Sequence, residues 1–89
     1  MTQSVDSDLE ASILELARER GVSKSICPSE AAKHVAGARD LDWHSLMQPA
    51  RRAAVKLAKD GRLLILRKGK PVDPADFKGV YRLTIPRED

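Results

Sequence analysis

The 89 residues give room for one compact domain but not for a second hydrophobic core among them, and leave little space for a deep, enclosed active site. Apolar residues make up 42% and charged ones 33%, a globular balance, but aromatics only 3%, from Trp43, Phe77 and Tyr81, too few for the stacked platforms that hold single-stranded nucleic acid. The formal charge of +3 is unevenly laid: residues 1–47 sum to −3, residues 48–70 to +7 and residues 71–89 to −1, so the basicity is one block.

In chain order, residues 1–7 read as a disordered polar tail and residues 8–86 as a single domain, with 87–89 as a second short tail. Ser7 is the expected N-cap of helix one, with Glu10 three residues later as the capping-box partner. Leu9, Ile13, Leu16 and Ala17 give that helix its buried stripe over residues 8–20, and Gly21 stops it. The segment 22–27, with β-branched Val22 and Ile26, is long enough for one short extended strand.

Pro28 suits a helix start because its missing amide hydrogen would be unpaired there anyway, and Glu30 favours the positive end of the helix dipole. Helix two is expected over residues 28–36, with Ala31, Ala32 and Val35 inward and Gly37 as its end. Asp42 can cap a further helix, whose apolar stripe is Trp43, Leu46, Met47, Ala50, Ala54 and Leu57. Pro49 within it implies either one kinked helix over 43–60 or, as favoured here, a short turn followed by a helix opening at Pro49 and closed by Gly61.

The period then changes from helical to strand-like. Leu63, Leu64, Ile65 and Leu66 form an apolar run of strand length, and residues 80–85 alternate, with Tyr81, Leu83 and Ile85 on one face. Residues 68–78 between them are expected to form one long hairpin loop containing Pro71 and Pro74, in which Asp73, Pro74 and Asp76 can form a single helical turn. The predicted fold class is α+β: a winged helix-turn-helix of three helices followed by a β-hairpin wing, with a short extra strand between helices one and two.

Several stretches add to this reading: Ser25-Ile-Cys-Pro-Ser-Glu30, Arg51-Arg-Ala-Ala-Val-Lys-Leu-Ala58, Gly61-Arg62, Lys68-Gly-Lys-Pro-Val-Asp-Pro74 through Gly79, and Arg82-Leu83. Together they resemble a bacterial family of small winged-helix-like proteins described as a domain of unknown function. The resemblance runs from about Ile13 to Pro86 and implies the fold, with no catalytic or binding residues to carry over.

With Ala50 at the centre of the buried side of helix three, Gln48, Arg52, Lys56 and Lys59 fall about 160° to 240° away, on the opposite side, and Arg51 on the flank. In a winged helix this element can enter the major groove, where Gln and Arg pair with base edges and Lys neutralises phosphates. Arg67, Lys68 and Lys70 lie where a wing would meet adjacent backbone. The expected function is therefore nucleic-acid binding, with duplex DNA as the expected ligand. The alternative is a protein-interaction module docking an acidic partner, because any amphipathic helix exposes charge on its outer face and winged helices also dock proteins.

Other residue types fit simpler roles. Cys27, His34, Asp42 and His44 can each ligate metals, but their spacing matches no zinc site, so no metal and no cofactor are expected. Cys27 and Ser29 near a helix start lack an evident base, so no catalytic residues and no enzyme activity are expected; Cys27 packs or caps helix two. Trp43 is expected in the core. A lone cysteine, no apolar run of membrane-span length and no signal-peptide pattern at the start predict a cytoplasmic protein without membrane contact.

Overall fold

A computed structural model describes residues 4–86 of the chain, so residues 1–3 of the tail predicted over 1–7, and the tail predicted over 87–89, lie outside the described residues. Helix α1 spans Val5–Arg20 and begins earlier than expected. Ser4, not Ser7, is the N-cap: its hydroxyl accepts the Ser7 amide at 3.1 Å, and residues 5–7 are helical. Asp6 and Asp8 in the first turn favour this start through the dipole, and Val5 packs on the core. Glu10 thus sits inside the helix rather than in a capping box.

The segment after Gly21 supplies one bridge instead of a strand, with Ile26 and Leu83 exchanging backbone hydrogen bonds at 2.8 and 2.9 Å. Cys27 caps α2, Pro28–Arg39, and its amide donates to the Glu30 carboxylate at 2.7 Å. Gly37 does not end this helix. A mid-helix glycine costs about 1 kcal/mol relative to alanine but breaks no hydrogen bond. The chain turns instead at Asp40, which adopts the left-handed conformation (φ 56°), after Arg39 Nε has docked on Asp8 of α1 at 2.7 Å.

Turn and helix separate as favoured from the sequence, though two residues earlier than Pro49. A 3-10 turn, Trp43–Leu46, is capped by Asp42, whose carboxylate accepts from the His44 amide at 3.1 Å and from its ring at 2.8 Å. Those His44 hydrogen bonds hold the exposed Asp42 carboxyl below its usual range. Helix α3, Met47–Lys59, begins at the next residue, with Pro49 in its first turn, where amide hydrogens have no helical acceptor to lose.

Strand β1 is Leu64–Arg67, β2 is Lys70–Pro71 and β3 is Arg82–Thr84, in the antiparallel order β2-β1-β3. The single long hairpin expected from the sequence is therefore two connections. A two-residue turn comes first, with Lys68 at φ 52° and Gly69 at φ 80°, the left-handed pair that matches the twist of a tight hairpin and sets Arg67 opposite Lys70. Residues 72–81 then loop around to place β3 on the other edge of β1, with Ile65 opposite Leu83. The helical turn anticipated at Asp73 is a hydrogen-bonded turn, in which Asp73 accepts from Asp76 through its carbonyl and from Ala75 through its carboxylate.

Leu9, Ile13, Ile26, Leu57, Leu63, Ile65 and Leu83 are the largest fully buried side chains, so the core lies where α1, α3 and the sheet meet. Alanines on α2 and α3 allow the helices close approach. Trp43 is at the rim rather than the centre: half-buried, it stacks on His44 at 3.8 Å, with Lys33 Nζ 4.6 Å from its ring. Among the described residues, no helix is long and apolar enough to cross a membrane.

Candidate nucleic-acid interface

Helix α3 buries Ala50, Ala53, Ala54 and Leu57, which fixes the opposite face outward. Gln48, Arg52 and Lys59 are exposed there, as is Lys56, and Gln48 and Lys59 have no hydrogen-bond or ion-pair partner among the described residues. The other two meet α1. Arg52 Nη2 lies 3.8 Å from Asp6, and Lys56 Nζ lies 3.5 Å from Glu10. Both cations keep about two thirds of their side-chain surface in water, at 64% and 65%. Pairs of this length and exposure contribute about 0–1 kcal/mol, too little to fix the side chains.

Arg51 turns a different way. Its Nη2 donates to the Phe77 carbonyl at 2.8 Å, and its guanidinium lies 3.9 Å from the Phe77 ring centre and 5.8 Å from that of Tyr81. The two rings meet edge to face at 5.1 Å. Arg67 makes a similar clasp from β1, donating to the Val80 carbonyl at 2.8 Å. Gly79 beside it adopts φ +84°, a conformation that favours glycine, and a side chain there would displace the Arg67 guanidinium. Two of the eight sequence-predicted contact residues thus hold the 72–81 loop to α3 and the sheet.

Lys68 and Lys70 occupy the hairpin, exposed and without an ion-pair partner among the described residues. The predicted residues therefore divide three ways: an outward stripe on α3, a lysine pair at the hairpin, and two arginines bound to the loop backbone. Asp6 and Glu10 were not anticipated as part of this face. The signal for them was present, because two carboxylates four residues apart on one helix match two cations four residues apart on another.

The residues with chemical potential elsewhere are tied into the fold. Cys27 Sγ accepts from the Ser29 hydroxyl at 3.0 Å while Cys27 caps α2. His34 Nδ1 and the Ser12 hydroxyl are 2.8 Å apart between α2 and α1. Among the described residues, no three histidine, cysteine or acidic side chains converge to hold a metal ion.

Two consequences of the loop clasp are measurable. Arg51→Ala removes a charged hydrogen bond and a ring contact, and is expected to lower stability by about 1–3 kcal/mol. Amide exchange should accelerate locally over residues 77–81; unchanged exchange there would contradict the clasp. The second consequence concerns Tyr81, the chain's only tyrosine. Burial pushes its phenol above the ordinary value, with Arg51 opposing and Cys27 adding to the rise.

A pKa raised on folding stabilises fully below the unfolded value, and that contribution is lost as pH climbs through the folded one. Absorbance titration should therefore place the phenol midpoint above about 10, with the melting temperature declining from that pH upward. A midpoint at or below the ordinary value would contradict the burial of this ring.

Three helices, a small antiparallel three-stranded sheet and a third helix with a cationic outer face define an α+β protein of winged-helix-like arrangement. The chain belongs to the family described as "protein of unknown function (DUF3253)", whose profile matches residues 6–86. No curated protein matches it.

Proposed function

We propose that this protein is a duplex-DNA-binding module that presents α3 to the major groove and the β1–β2 hairpin to adjacent backbone. The observation that carries the reading is the outward stripe of Gln48, Arg52, Lys56 and Lys59 on the third helix of a winged-helix-like body. In this reading Gln48, in the first turn, meets base edges, Arg52 spans a base edge and the flanking phosphate, Lys56 and Lys59 neutralise phosphates, and Lys68 and Lys70 form a second phosphate anchor. Arg51 and Arg67 contribute by shaping the loop. The protein acts by binding rather than catalysis, in the cytoplasm, and the bacterial character of its family belongs to the same proposal.

Five cations in contact with phosphate would give a logarithmic salt slope of roughly −4 to −5 for duplex DNA. A fluorescence titration with a random-sequence duplex at low and moderate salt reads this directly. Binding at low salt that weakens along that slope is expected, and no binding at low salt overturns the reading.

A second reading, docking of an acidic protein surface, has one observation in its favour. Arg52 and Lys56 already accept protein carboxylates as neighbours, at 3.8 and 3.5 Å. Binding of a Glu-rich peptide at a salt concentration where duplex does not bind would favour this reading over the first.

A further inference from the structure

The same two ion pairs carry an inference that rests on the stripe of α3 being an anion-binding face. We infer that Asp6 and Glu10 are an internal stand-in for phosphate, occupying Arg52 and Lys56 in the free protein and giving them up when a polyanion arrives. Asp6 and Glu10 are one turn apart on α1, as Arg52 and Lys56 are on α3, so the two helices meet as a matched two-rung ladder of charge. Glu10 is the better anchored rung, with its side chain 22% exposed; Asp6, at 58%, is the looser.

The arrangement has a thermodynamic signature beyond a simple loss of net charge. A cation that neutralises phosphate ordinarily releases a condensed counterion from the nucleic acid, and each such contact steepens the salt dependence. A cation that must first leave an internal carboxylate exchanges one pairing for another. The freed carboxylate then recruits cations of its own from solution, which cancels part of the release. Asp6 and Glu10 therefore lower affinity at low salt and flatten the salt dependence together, and neutralising them reverses both effects.

The other carboxylates of α1 provide the internal comparison. Glu15 and Glu19 are exposed and fall about 180° and 220° around the helix from Asp6, on the side away from the ladder. D6N/E10Q and E15Q/E19Q change the net charge by the same amount but differ in whether α3 is uncovered.

The test compares wild type, D6N/E10Q and E15Q/E19Q in two arms, after thermal melts establish that each is folded. In the first arm the proteins are eluted from immobilised heparin with a salt gradient, which requires no duplex recognition. D6N/E10Q is expected to elute at clearly higher salt than E15Q/E19Q, and coincident elution overturns the inference. In the second arm random-sequence duplex is titrated, where D6N/E10Q should bind about 3- to 10-fold more tightly than wild type at low salt, as expected for releasing two exposed pairs.

Its logarithmic salt slope should also steepen by up to roughly 1.8. In an R52Q/K56Q background the advantage of D6N/E10Q over E15Q/E19Q should vanish, because the carboxylates then cover nothing; persistence of the advantage would overturn the inference. Duplex binding by none of these proteins would end the DNA reading while the heparin arm still decides the fate of the ladder.

Discussion

Leu83→Ala is expected to lower the stability of this protein by about 2–5 kcal/mol, the range for truncating a buried leucine where the surroundings cannot collapse into the void. Leu83 is fully buried on β3. On one side it is opposite Ile65 of β1, and on the other it exchanges both backbone hydrogen bonds with Ile26. It therefore links the segment before α2, the sheet and the core of α1 and α3. In a domain of this size 1 kcal/mol moves the melting temperature by roughly 4–8 °C, so a fall of about 8–40 °C should be seen by circular dichroism. Val80, three residues earlier, is 83% exposed, and Val80→Ala should change stability by no more than about 0.5 kcal/mol. Comparable effects at the two positions would contradict the placement of β3.

The second large effect concerns binding. Replacing Arg52, Lys56 and Lys59 together by alanine removes three of the five cations assigned to phosphate or base contact. The slope of log affinity against log salt should become shallower by roughly 2.7, and affinity at low salt should fall on the order of a hundred- to a thousand-fold. Stability should barely change, since all three side chains are largely in water and alanine is a better helix former than either. Arg51→Ala and Arg67→Ala supply the contrast. They remove just as much positive charge per residue, yet their guanidinium groups are bound to loop carbonyls, so they should cost stability first and affect the salt slope less. An unchanged slope in the triple variant would remove α3 from the interface.

Much of the fold was legible because its helices carry apolar stripes at a steady period. The boundaries were less so, for identifiable reasons. Ser4 and Ser7 are both competent caps, and acidic residues come after each; the half-buried Val5, which joins the core, extends the helix to the earlier one. Gly37 has the composition of a helix end, but the ion pair of Arg39 with Asp8 continues the helix past it. The hairpin was missed because its first turn position is Lys68, a residue type with no preference for a positive φ, so that only Gly69 marked the turn.

The site was legible in its charge but not in its directions. The +7 block and the wheel of α3 place Gln48, Arg52, Lys56 and Lys59 outward without reference to tertiary structure. No local pattern could show that Arg51 and Arg67 turn to the carbonyls of Phe77 and Val80, because those acceptors belong to an irregular loop 26 and 13 residues further along the chain. The charge sums of the acidic first half and the basic block do not show where the two meet. In the folded protein part of that half lies against the block, which makes the exposed face of α3 mixed in sign along its α1 border.

Backbone amide shifts recorded while a random-sequence duplex is added to isotope-labelled protein at low salt test the central claim most directly. Perturbations should concentrate on α3 from Met47 to Lys59 and on the hairpin around Lys68 and Lys70, with α1 responding only near Asp6 and Glu10. Shifts confined to α1 and α2 around Ser12 and His34, or a spectrum indifferent to duplex, would contradict it.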